Sequence, residues 1–120
     1  NEAPRLLQSR QEIPLGRAQT TFATILTARA DAYFQIEGLW TANTTAVDHD
    51  YSVCLVAPSG SPTVANALVW DFVVPANTVD YAVGVAGMLV PPGYTVQVNS
   101  DANDTINVYG WGWNVVGDSQ

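Results

Sequence analysis

A chain of 120 residues suits one domain, and such a domain buries roughly 65–70% of the surface that its unfolded form exposes, enough for a core without staples. The one cysteine, Cys54, excludes an intrachain disulfide and zinc sites of the paired-cysteine kind. Charged residues make up 12% of the chain, hydrophobic ones 48%, and the formal net charge is −7; no apolar run reaches the roughly 18–20 residues of a membrane span, so no membrane partner is expected.

The charges are unevenly placed. There is no lysine, and the positive residues Arg5, Arg10, Arg17 and Arg29 all precede Asp31, beyond which every formal charge is negative. An acidic body repels phosphate backbones, so nucleic acid is not an expected partner. A basic leading segment could dock on an acidic neighbour.

In chain order, residues 1–19 read as an extended arm. Pro4 and Pro14 break any long helix and Gly16 punctuates its end. Leu6, Leu7, Ile13 and Leu15 sit among Arg5, Arg10, Arg17 and glutamines, too few for a core of their own, so they need a surface on their own domain or on a neighbouring subunit. Residues 20–120 form the domain proper. The texture from Thr20 is strand-like: Thr20–Ala28; then Ala32–Thr41, whose alternation puts Phe34, Ile36 and Trp40 on one face and Tyr33, Gln35, Glu37 and Leu39 on the other. Tyr51–Ala57 follows a polar turn, and Pro58–Pro62 is a breaker-rich loop. Ala67–Val74 is a fourth run, and Thr78–Val85 with Met88–Val90 a fifth. After Pro91-Pro92-Gly93 comes Tyr94–Asn99, with Thr95, Gln97 and Asn99 outward, and after an Asx-rich turn Thr105–Val116 closes the series. About seven short strands with breaker-rich turns predict an all-β antiparallel sandwich, of jelly-roll or immunoglobulin-like topology, with an extended N-terminal arm.

Reactive constellations are sparse. Asp48-His49-Asp50 suits a metal or a base with its orienting carboxylate only if three successive turn residues converge, and a solvated loop is the simpler reading. Asp101, Asn103 and Asp104 lack the spacing and the closing Glu of a calcium loop, and read as a turn. No serine carries a nucleophile signature, and Gly110-Trp111-Gly112 lies within a strand, not before a helix. Neither an enzyme activity nor a cofactor is expected. Cys54, inside an apolar run, reads as a buried inert thiol.

The last strand carries the most distinctive pattern. Tyr109, Trp111 and Trp113 share one face and Gly110 and Gly112 the other. Such a row is core, protein contact surface or sugar-stacking platform, and the glycine face is bare backbone where another chain can come close.

The stretch from Tyr51 to Tyr109 resembles small β-sandwich virion proteins of tailed bacteriophages, among them head-decoration (cement) proteins and fibre modules. The resemblance rests on the order of Ala57-Pro58-Ser59-Gly60-Ser61-Pro62, Ala65–Asp71, Val74-Pro75-Ala76-Asn77, Met88–Val98 and Ser100–Val108, and covers about half the chain. It implies a place in the virion, no catalytic residues and association as a homotrimer. On this reading the chain is a capsid decoration protein on the outer capsid surface, its partners being the major capsid protein and itself. Its candidate contact residues are Arg5, Leu6, Leu7, Arg10, Ile13, Leu15, Arg17, Tyr109, Trp111 and Trp113. The alternative is a receptor- or carbohydrate-binding module of a phage fibre.

Overall fold

A computed structural model describes residues 5–118. Two antiparallel sheets face each other across one apolar core. The first contains β1 (Arg5–Ala18), β9 (Ile106–Asp118), β3 (Tyr33–Asn43) and, at its far edge, the two-residue strands β6 (Val79–Asp80) and β7 (Leu89–Val90). The second runs β2 (Ala23–Thr27), β8 (Thr95–Ser100), β4 (His49–Val56) and β5 (Ala67–Val74).

Because β6 pairs with β3 at Thr41–Ala42 and β7 pairs with it at Phe34–Gln35, the two share one edge position, and the nine strands occupy the eight places of a jelly roll. Most connections cross between the sheets, whereas β4 and β5 are successive neighbours within one. The jelly-roll alternative therefore holds, and the immunoglobulin-like one does not.

The alternation read from sequence explains most of the faces. Val96, Val98 and Ser100 point inward on β8 and their neighbours are half-exposed. Tyr51 and Val53 from β4 meet Phe34, Ile36 and Leu39 from β3 in the core. Buried Asn43 closes the β3–β4 loop: its amide donates to the carbonyls of Val47 (2.7 Å) and Val74 (2.9 Å), and its oxygen accepts from Thr45 N–H (2.9 Å) and hydroxyl (2.8 Å). All of its hydrogen-bonding capacity is used, which lets an amide sit in the core without penalty.

Two sequence expectations need correction. In β3 the register with β9 shifts between Ile36 and Gly38, so Glu37 is an extra, bulged residue. A one-residue slip reverses every later side chain. Leu39 is therefore buried and Trp40 faces outward, the reverse of an unbroken alternation. The fifth run, 78–90, is also no continuous strand. Ala82 (φ 45°) and Gly87 (φ 86°) adopt left-handed backbone around a 3-10 turn at Val83–Val85, which leaves only β6 and β7 to pair.

The segment 1–19 is extended where it is described: β1 lies antiparallel along β9 from Arg5 opposite Asp118 to Ala18 opposite Ile106, as the edge strand of its sheet. Its register breaks between Ile13 and Gly16, around Pro14, which blunts that part of the edge against further pairing.

Candidate interaction surface

β9 presents two different faces. Inward, Gly110 and Gly112 leave no room for a side chain: a Cβ on Gly110 would fall 2.6 Å from the Gly38 carbonyl oxygen, and one on Gly112 would lie 2.7 Å from the Phe34 ring. The close approach expected at this bare backbone is thus made by the chain's own β3. Outward, Tyr109, Trp111 and Trp113 lie half-exposed in a row, outside the core.

The β3 bulge adds Trp40 to this outer face, where it lies over Gly38 and stacks on Tyr109 with ring centroids 5.5 Å apart and planes at 28°. Tyr81 meets the edge of Trp40 at 6.3 Å, and Trp111 and Trp113 meet edge to face at 5.8 Å. Sequence periodicity found the β9 row but not Trp40 and Tyr81, because a bulge and a broken strand leave no trace in an alternation pattern.

β1 braces the row from one side. The Arg10 guanidinium lies 4.5 Å from the centre of the Trp111 ring, and Tyr109 donates its phenolic proton to Glu12 Oε1 at 2.9 Å. That hydrogen bond, more than burial, raises the Tyr109 pKa. Tyr109 thus spends a ring face on Trp40, and Trp111 spends one on Arg10.

The contact residues expected on the arm do not all lie alike. Leu7 and Leu15 are exposed, at 48% and 69%. Ile13 is buried against the core and anchors β1. Arg17 donates to the Asp104 carbonyl oxygen at 3.1 Å, Gln19 to the Asp104 carboxylate at 2.8 Å, and Thr20 N–H to Asn103 Oδ1 at 2.8 Å. The turn at 101–104 therefore grips the end of the arm, which is what its Asx side chains do. The side chains of Arg5 and Leu6 lie outside the described residues. From Leu7 to Glu12 every residue is exposed, and apart from the contacts of Arg10, Gln11 and Glu12 with side chains of β9 this stretch of β1 is paired along one edge and open along the other.

Elsewhere, Asp48, His49 and Asp50 do not converge on one point, and they are not the solvated loop expected either, since His49 and Asp50 begin β4. Asp48 accepts from Ala76 N–H at 3.0 Å, whereas the His49 ring meets Asp101 at 3.0 Å. Among the described residues no group of three acidic, His or Cys side chains is placed to hold a metal. Cys54 is buried, its thiol donating to the Thr63 carbonyl at 3.4 Å, and burial pushes its pKa up.

A further feature has no sequence signal. At the flank of the sandwich between β5 and the 80–84 segment, a groove of about 410 Å³ is lined by Tyr51, Leu68, Trp70, Phe72, Asp80 and Ala82, among others. The residues that form it are brought together only by the crossing of the two sheets.

No protein-family model matches the chain, and no curated protein matches its sequence. Solved structures share its fold. A chain of the T13 IBDV viral particle is similar over 96% of this chain and 31% of its own length, with a TM-score of 0.58 and 11% identity. A chain of infectious bursal disease virus Gx strain is similar over 95% of this chain and 32% of its own, with a TM-score of 0.51 and 10% identity. The chain thus spans about a third of the length of each, and at such identities the likeness is one of fold.

Proposed function

We propose that the chain is a structural protein of a virion, without catalytic activity, and that it is a capsid decoration protein of a tailed bacteriophage. It would sit on the outer capsid surface as a homotrimer and clamp neighbouring copies of the major capsid protein. The observation that carries the reading is the exposed β1 stretch Leu7–Glu12 beside the aromatic outer face of β9 and β3. Across the β1–β9 pairing Arg10 and Glu12 share the face of Trp113 and Trp111 and form one adhesive surface with them on a rigid sandwich, whereas Leu7 lies on the opposite face of β1, the side of Ile13. The jelly-roll fold shared with chains of viral particles supports it, as does the order of turn motifs from Tyr51 to Tyr109.

The contact would use Arg10, Trp111 and Trp113 on the outer face and Leu7 and Leu15 along the exposed edge of β1, with the segment carrying Arg5 and Leu6 extending it, and with Ile13 and Arg17 fixing β1 to the body. Burying Leu7 and Leu15 contributes about 1.5–3 kcal/mol each before ordering costs. So small a gain per subunit makes simultaneous engagement by several subunits of an oligomer the natural source of tight binding.

The test is co-sedimentation of the purified chain with capsids stripped of it. The wild type should saturate a fixed number of sites, and the double substitution Leu7→Asp with Leu15→Asp, at exposed positions, should lower occupancy at least about tenfold. Unchanged occupancy would remove β1 from the contact, and a wild type that stays in the supernatant would remove the capsid.

A further inference from the structure

The flank groove lies apart from the adhesive surface described above. Its base is a hydrogen bond between the two sheets: the Tyr51 hydroxyl, from β4, donates to Asp80 Oδ2, from β6, at 2.5 Å. Trp70 lines one wall at 43% exposure, braced from behind by Phe22 with ring centroids 6.2 Å apart. Phe72 lines it at 48% exposure and meets the Tyr51 ring edge to face.

The wall is held in an unusual backbone shape. Between Trp70 and Phe72, Asp71 is left-handed (φ 50°), in the stretch where the β4–β5 register slips. The buried Ser52 hydroxyl clamps it, accepting from Asp71 N–H at 2.8 Å and donating to its carboxylate at 3.2 Å. The two hydrogen bonds fix the backbone between the Trp70 and Phe72 side chains.

Asp80 is the one charged residue lining the groove, and among the described residues no donor reaches its Oδ1. None of the arginine side chains among the described residues is turned to it: Arg10 lies on Trp111, Arg17 on the Asp104 carbonyl and Arg29 on Asp31. Aromatic walls around a carboxylate select a cation that is planar, weakly hydrated and able both to stack and to donate. The volume is ample for one long side chain.

We propose that this groove is a binding site for an arginine side chain presented by a partner protein, with the guanidinium stacked on Trp70 and Phe72 and donating to Asp80 Oδ1. The site does not depend on the capsid reading, because it concerns another face and other residues.

The experiment titrates the full chain with N-acetyl-arginine amide and with its neutral isostere N-acetyl-citrulline amide. Amide and Trp indole signals are followed by NMR. Arginine should bind saturably, with a dissociation constant on the order of millimolar, and shift Trp70 and Asp80. Citrulline should bind about tenfold more weakly or worse. Asp80→Asn should abolish the discrimination, and Trp70→Leu, at an exposed position, should weaken arginine several-fold; the Trp70 variant carries the test should the Asp80 one fail to fold. Equal binding of the two probes, shifts confined to the Asp50–Asp101 end, or undiminished binding by Trp70→Leu would overturn the proposal.

Discussion

The Phe34 ring occupies the space that a side chain on Gly112 would need: a Cβ there would fall 2.7 Å from Cε2 and Cζ of the ring and would overlap the Gln35 carbonyl oxygen. This contact brings β3 and β9 together beneath the aromatic face, so the rigidity of that face rests on a residue with no side chain. Gly112→Ala should therefore destabilise the fold by about 1–3 kcal/mol, at least, since backbone as well as ring must shift. Gly84→Ala, where a Cβ would meet nothing within 4 Å, should change stability by less than about 0.5 kcal/mol. Urea midpoints of the two variants check both.

The Asp50 carboxyl is held above its ordinary value of 3.8, first by burial, then by Asp101 and Asp71, with His49 pulling the other way. Between 3.8 and the raised folded value the native state binds more protons than the unfolded one, so stability falls as pH rises through that window. Asp50→Asn should flatten this part of the pH profile and raise stability at neutral pH, with the gain gone once the pH drops below the unfolded value. Denaturation at neutral pH and in acid measures the difference.

Cys54 should be silent to thiol reagents in the native state, because the thiol is buried and its pKa raised, and only the thiolate reacts readily. Labelling by a disulfide reagent should proceed at the rate of opening and become immediate in denaturant. Fast labelling of the folded chain would contradict the burial.

The Arg10–Trp111 contact should contribute about 0.5–1 kcal/mol, as a cation over an exposed ring does. A double-mutant cycle with Arg10→Ala and Trp111→Leu isolates it. A coupling near zero would mean that Arg10 lies over the ring without holding it.

Sandwich architecture was legible because most strands alternate cleanly and their turns carry Pro, Gly and Asx residues; β8 and the β9 row show this best. Misreadings arose where the backbone departs from the pleat. Glu37 is one residue too many for β3, so Leu39 and Trp40 exchange faces. Left-handed Ala82 and Gly87 split an apolar run that composition alone joins. The flank groove was invisible for another reason: Tyr51 and Asp80 are 29 positions apart, and they meet only because the sheets cross. The described part of the segment expected as an arm is the edge strand β1, and only its pairing shows that Ile13 enters the core while Leu15 does not.

The central claim is a place on the outside of a capsid, held through β1 and the aromatic face. An electron cryomicroscopy reconstruction of the intact particle tests it most directly. The account predicts trimeric density of this jelly roll at many equivalent sites on the outer shell, with β1 and Trp111 turned toward the capsid subunits. Density found only in a fibre, or a shell-bound copy whose β1 and Trp111 face solvent, would contradict it.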